Sequence, residues 1–286
     1  MTFWRAAERA KEAGGTLILR IEDLDRDRCR PEFYEAIVED LRWFGIGWNE
    51  GPDVDGPNAP YVQSERRRLY KEAFEKLKGA GWIYRCRCSR KDVLEAAIAP
   101  HDENEEPIYP GTCRPTVATA LNRREDGTAT HWRFRVPDGE ELRYVDERLG
   151  KQNAIAGTDF GDFIIWRKDD VPAYQLAVVV DDAAMGITEV VRGEDLLIST
   201  FRQLLIYRAL GLTPPKFYHC ALVKDESGKR LAKRHAGLSL RSLRAAGARP
   251  EEIRGSGIVT KLQRLQGEKG TDKSEKLKTG KLKAET

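Results

Sequence analysis

The chain has 286 residues, 40% of them hydrophobic, enough for one large core or two small ones. A third of the residues are charged, yet the formal net charge is only +3, so composition alone does not mark a nucleic-acid binder. No apolar run reaches the eighteen or so residues of a membrane span, and the interleaved charges of Met1 to Gly15 exclude a secretory signal.

Phe3 to Ala13 reads as a helix closed by Gly14-Gly15. The apolar run Thr16-Leu17-Ile18-Leu19 then predicts a buried strand over 16–21. It leads into Arg20-Ile21-Glu22-Asp23-Leu24-Asp25. Acids delivered at the C-terminal end of a strand point to a site, because open α/β sheets bind ligands there. Pro31 opens a second helix, with Phe33, Ile37, Leu41 and Phe44 on one face and Gly45 at its end. A loop from Gly51 to Pro60 follows. Ser64 is the expected cap of a long helix through Leu77. Trp82-Ile83-Tyr84 reads as a strand running into cysteines.

From Cys86 to about Gly161 the pattern changes to short strands, turns and polar insertions, with Trp132 to Val136 alternating like a half-exposed strand. Regular α/β texture resumes at Phe163-Ile164-Ile165-Trp166. A helix near Ala173 to Val178, a strand at Thr188 to Val191 and a helix from Ser199 to Leu210 follow. This order predicts an α/β domain split by an inserted module. The expected segments are 1–85 and 162–222 for the two halves of the α/β domain and 86–161 for the insertion. A basic loop and short helical part occupy 223–253, and a Lys-rich disordered tail 254–286.

Three of the five cysteines cluster: Cys86-Arg87-Cys88, and Cys113 at the end of Tyr109-Pro110-Gly111-Thr112-Cys113. An odd number, clustered, suggests a metal site in a reducing cytoplasm rather than disulfides. Four-coordinate zinc needs a fourth ligand, and Tyr109 and His101 are both at hand; histidine is the commoner choice. The same cysteines could also be reduced core residues. Gly228 to His235 packs four cations into a loop suited to a polyphosphate, or to a solvated turn. Arg192 ends a β-branched strand, where it can pair with a carboxylate or form a surface ion pair. Tyr174 opens a helix after Pro172 and can offer its hydroxyl to a ligand or pack half-buried. Asp181-Asp182 reads as a solvated turn rather than a metal site. Cys29, Cys220 and His131 carry no signal.

Together these runs resemble the class I glutamyl-tRNA synthetases. The resemblance rests on Arg20 to Asp25, then Asn49-Glu50-Gly51-Pro52-Asp53 and Tyr61-Val62-Gln63-Ser64-Glu65-Arg66. It continues through Arg192-Gly193-Glu194-Asp195-Leu196-Leu197 and the loop Arg230-Leu231-Ala232-Lys233-Arg234, which stands where that class carries its KMSKS signature. It covers about residues 3 to 250. The Cys86, Cys88, Tyr109, Cys113 pattern narrows it to the short glutamyl-Q tRNA(Asp) synthetases, which lack an anticodon-binding domain. The resemblance implies a Rossmann-type domain with a zinc-containing insertion, one zinc ion held by those four residues, and ATP, with Mg2+, as substrate. It implies activation of L-glutamate to its adenylate and transfer to the queuosine base of tRNA(Asp), in a cytoplasmic monomer. Glu22 would bind the glutamate ammonium, Tyr174 and Arg192 would hold the substrate, and Lys233 would steady the ATP phosphates. Two departures stand out. Ala232 and Arg234 replace the loop's serines, and the first strand and HIGH-type signature of the family are expected upstream of the helix at Phe3, so activity without them is in question. Two other readings fit the same residues. One is a fragment of a full glutamyl-tRNA synthetase. The other is a synthetase-like protein that binds tRNA or glutamate without catalysis.

Overall fold

The computed structural model describes residues 2–25, 29–96, 107–115, 129–222 and 239–254. Its first helix, α1 (Thr2–Glu12), stops where Gly14 takes φ +60°, a left-handed value that favours glycine. The chain then runs extended through 16–21, but its partner is split in two. Leu19 N–H donates to Glu50 O at 2.9 Å, and Ile21 N–H donates to Tyr61 O at 2.8 Å. The turns of 51–60 lie between these partners, so the expected strand forms only isolated parallel bridges, Ile18 to Glu50 and Ile21 to Val62.

Helix α2 (Pro31–Trp43) also departs from its pattern. Leu41 and Phe44 are buried, but Phe33 is 57% and Ile37 36% exposed, so only the C-terminal half of the apolar face is covered. That half packs with Leu19, Ile46, Leu243 and Ile253. The last two belong to short helices α7 (Leu240–Ala245) and α8 (Pro250–Arg254), which fold back onto α2.

Ser64 does not cap a helix. A 3-10 turn, Gln63–Arg66, precedes α3 (Arg67–Gly79), and the Ser64 N–H donates to Asp23 Oδ1 at 2.8 Å. Helix α3 buries Tyr70, Ala73, Phe74 and Leu77, the i, i+3, i+4, i+7 stripe of an amphipathic helix.

Two sheets carry the rest. In the first, β1 (Ile83–Cys86), β2 (His131–Phe134) and β5 (Phe163–Trp166) pair antiparallel in the order β1-β2-β5. Because β2 is central, Phe134 and Arg133 are buried rather than half-exposed. Trp82, Phe134 and Phe163 stack at 5.7 and 5.2 Å. A short helix, α4 (Arg90–Ala96), follows β1. In the second sheet, the hairpin β3 (Glu141–Asp146) and β4 (Gly150–Ile155) joins β6 (Glu189–Gly193) and β7 (Lys216–Cys220) in the order β4-β3-β7-β6. The β3–β7 and β7–β6 pairings are parallel.

Helix α5 (Tyr174–Ala184) is buried from Leu176 to Asp182 and packs against α6 (Leu197–Leu210) and α3. A helix apolar on nearly every side belongs inside a core. Asp181 and Asp182 therefore lie in a buried helix, not in a solvated turn. The apolar run Leu176 to Val180 commits their turn of helix to the interior. Helix α1 leans on the edge strand β6: Arg9 donates to both carboxylate oxygens of Glu189, at 2.6 and 2.8 Å, and lies over the Tyr218 ring.

Candidate functional site

A cleft of about 1080 Å³ opens between α1, the extended segment 15–22, the start of α5 and β6. Glu22, Tyr174 and Arg192 line it together with Arg20, Asp182 and Met185. These three predicted residues come from places 170 positions apart, and the crossing of segment, helix and strand brings them to one hollow.

Glu22 stands at the end of the extended segment with 42% of its side chain exposed. Arg20 reaches its Oε1 from Nη2 at 3.1 Å, while Arg20 Nη1 donates to Asp182 Oδ1 at 2.8 Å. Burial raises the Asp182 carboxyl above the ordinary range, against the pull of Arg20. Behind it, fully buried Asp181 accepts from Gln63 Nε2 at 2.8 Å, Arg66 Nε at 2.6 Å and the Tyr70 hydroxyl at 2.8 Å. This network ties the floor of the cleft to α3.

Arg192 is held from several sides. Its Nε donates to His219 Nε2 at 3.1 Å, Nη1 to Gln203 Oε1 at 2.7 Å and Nη2 to Thr200 Oγ1 at 2.6 Å. A guanidinium has five N–H groups in a fixed fork. The remaining N–H groups on the terminal nitrogens face the Tyr174 hydroxyl, with which Arg192 also hydrogen-bonds, and are what a carboxylate entering the cleft would meet. Tyr174, 40% exposed, sits beside them. Its phenol pKa is raised by burial and then by the charge of Glu22, while Arg192 opposes the rise. An acid at one end and a guanidinium at the other suit a ligand with an ammonium and a carboxylate.

A second cluster forms at the end of β1. The sulfur atoms of Cys86, Cys88 and Cys113 lie within 4.8 Å of one another. The Tyr109 oxygen is 3.4 Å from Cys86 Sγ and 3.6 Å from Cys88 Sγ. Burial raises the Cys88 thiol to about 11. Cys113 falls to about 7: its burial is outweighed by hydrogen bonds from the Arg87 backbone and Tyr109. Arg133 donates to Cys86 Sγ at 3.2 Å and stacks 3.9 Å over the Tyr109 ring. Three thiols and a phenol converging beside a guanidinium fit a thiophilic cation such as zinc. Lys233 and His101 lie outside the described residues, as does the loop from Gly228 to His235.

Residues 8–263 match the family model described as tRNA synthetases class I (E and Q), catalytic domain. The chain belongs to that family. Its relatives include a glutamyl-Q tRNA(Asp) synthetase of Symbiobacterium thermophilum, 50% identical over 87% of this chain and 79% of the relative. A protein of the same name from Nitratidesulfovibrio vulgaris is 47% identical over 89% and 78%. Glutamate–tRNA ligase 1 of Halorhodospira halophila is 44% identical over 84% of this chain and half of its own length. Among solved structures, a glutamate tRNA ligase of Elizabethkingia meningosepticum, in complex with its amino acid, matches with a TM-score of 0.70 and 29% identity. That match covers 82% of this chain and 48% of that one. The synthetase is therefore an α/β ligase of the aminoacyl-tRNA synthetase class. Among its described residues no helix is long and apolar enough to cross a membrane.

Sequence reasoning missed the supports of this synthetase's site. His219, Thr200 and Gln203 hold Arg192, and Asp181 and Arg66 anchor the floor. A signal existed for Thr200 and Gln203: polar residues three apart, and so on one face of the helix, among its buried apolar positions. His219 gave none, because its partners are distant in sequence.

Proposed function

We propose that this synthetase activates L-glutamate with ATP and transfers the glutamyl group to the queuosine base of tRNA(Asp). The observation that carries the reading is the convergence of Glu22, Tyr174 and Arg192 on one cleft. Glu22 takes the α-ammonium, and Arg192, with Tyr174, takes a carboxylate. Lys233 meets the phosphates of ATP, whose Mg2+ helps neutralise the charge that builds at phosphorus. The substrate carboxylate attacks the α-phosphorus, and pyrophosphate leaves. Catalysis is mainly positioning and electrostatics, with no covalent enzyme intermediate. The choice of acceptor is supported by the two glutamyl-Q tRNA(Asp) synthetases, of which this chain spans nearly four-fifths.

Glutamate-dependent exchange of pyrophosphate into ATP tests the first step. Transfer of labelled glutamate to tRNA(Asp) with and without queuosine, and to tRNA(Glu), tests the second. Label on queuosine-containing tRNA(Asp) alone is expected; charging of tRNA(Glu) at its 3′ end overturns the acceptor. That second reading draws on the 44% identity to a glutamate–tRNA ligase. Exchange that never appears leaves the binding-only reading.

Zinc at Cys86, Cys88, Tyr109 and Cys113 belongs to the same proposal. It would hold β1 to the turn at 109–113 and take no part in the chemistry. Native mass spectrometry should find one zinc per chain. Cys113→Ser should lower its occupancy and the melting temperature together. A metal-free chain with an unchanged melting temperature would end the idea.

A further inference from the structure

Beneath Arg192 lies a buried histidine whose protonation state has a consequence for the arginine it holds. His219 on β7 is fully buried. Its Nε2 receives the Arg192 Nε proton at 3.1 Å. An arginine Nε always carries hydrogen, so this nitrogen must accept. Its Nδ1 lies 2.6 Å from Asp146 Oδ2, and a carboxylate at that distance requires a proton on Nδ1. The two contacts leave one tautomer, the neutral Nδ1–H form. Asp146 on β3 is itself fully engaged. Its Oδ1 accepts the N–H groups of Arg148 at 3.0 Å and Leu149 at 2.9 Å, and its Oδ2 the N–H of His219 at 3.2 Å.

We propose that Asp146 and His219 are positioning residues that lock Arg192, and that a proton taken up at His219 Nε2 releases it. Protonation would turn Nε2 into a donor facing the donor Nε of a guanidinium, replacing a hydrogen bond with like-charge repulsion in a dry site. The groups facing the imidazole explain why it stays neutral. Arg192 approaches from β6, Thr200 Oγ1 stands 3.1 Å from Nε2 on the α6 side, and Arg148 donates to the His219 carbonyl. Tyr144 and Phe217 supply rings at 6.4 and 6.3 Å. Burial and the two guanidiniums push the His219 pKa below its ordinary value, although Asp146 pulls the other way. The dyad thereby makes the arginine's orientation depend on pH. This inference rests on Arg192 being the carboxylate partner of the amino-acid substrate.

The tautomer is measurable without substrate. Long-range 1H–15N spectra of the full chain, with His219→Gln for assignment, should show His219 as the neutral Nδ1–H form at pH 7.5. An Nε2–H tautomer, or an imidazolium, would overturn the proposal. The functional arm is glutamate binding by calorimetry across pH 5 to 8. Wild-type affinity should fall on acidification, with about one proton released for each glutamate bound on the acid limb. His219→Gln offers an oxygen acceptor near the Nε2 position but cannot titrate, so its affinity should stay within about threefold at neutral pH and lose the acid limb. His219→Leu, with no acceptor, should weaken binding on the order of tenfold. An unchanged acid limb in His219→Gln sinks the idea even if His219→Leu fails to fold. If no form binds glutamate while the Nδ1–H tautomer is found, the dyad stands and the substrate reading fails.

Discussion

The two sides of the cleft are built to different standards. On the Arg192 side, donors and acceptors from β3, β6, β7 and α6 interlock away from water. On the Glu22 side, the side chain is 42% exposed and, among the described residues, its carboxylate accepts from Arg20. The pairing of the extended segment itself is broken into two bridges. The difference suggests a division of labour. A guanidinium fixed in a dry frame sets which ligand fits, because burial strengthens its interactions and leaves little room to adapt. A wet carboxylate is screened and adjustable, and contributes less.

The comparison breaks first at Arg192. Arg192→Ala should weaken glutamate binding by roughly 3–5 kcal/mol, as removal of a buried charged partner does. Arg192→Lys should recover little of it, since an ammonium cannot reproduce the fork. Calorimetry with each variant measures both. Asp181→Ala comes next. It strands Arg66, Gln63 and Tyr70 and should cost about 3 kcal/mol of stability in urea unfolding. A cost near zero would mean that the floor is hydrated and no stiffer than the rim. Glu22→Gln should act more mildly, raising the glutamate KM on the order of tenfold with little change in unfolding midpoint. A loss as large as that of Arg192→Ala would erase the asymmetry.

The smallest effect is on stability at low pH. Hydrogen bonds from His219 and the Leu149 and Arg148 backbone hold the Asp146 carboxyl below its ordinary value, despite burial. A depressed folded pKa contributes stability above the unfolded value, near 3.9, and that contribution vanishes as pH falls through the folded value. Asp146→Asn should therefore flatten the acid limb of the stability curve below about pH 4. Denaturant titrations at pH 3 to 6 would reveal it.

The asymmetry also explains what could be read from the chain beforehand. Glu22, Tyr174 and Arg192, which line one cleft, were pointed to chiefly by the resemblance; their places beside apolar runs left both a site and an ordinary role open. The α/β order, the helix at Tyr174 and the cysteine cluster were legible from local pattern. The supports were not. Asp146 and His219 are 73 positions apart, and Gln63 and Asp181 are 118 apart; neither pair has a signature in any short window. The pair Asp181-Asp182 misled because acids look solvated until the apolar turn before them is given weight. Ser64 misled because its partner, Asp23, captures its N–H from forty-one residues away. Burial of charge is a property of assembly, and the sequence displays only the charges.

One contact has a consequence for how the chain comes to life. The clamp between Arg9 and Glu189 spans 180 positions. During synthesis α1 leaves the ribosome long before β6 exists, and it must wait without its partner. The early segment can meet residues 49–63 soon after they emerge, since those pairings are short-range. Its bond from Arg20 to Asp182 spans 162 positions and must also wait. Long-range contacts form slowly because loop closure precedes any gain. The two halves of the cleft are thus joined only once β6 and β7 have emerged, and binding competence arrives with them.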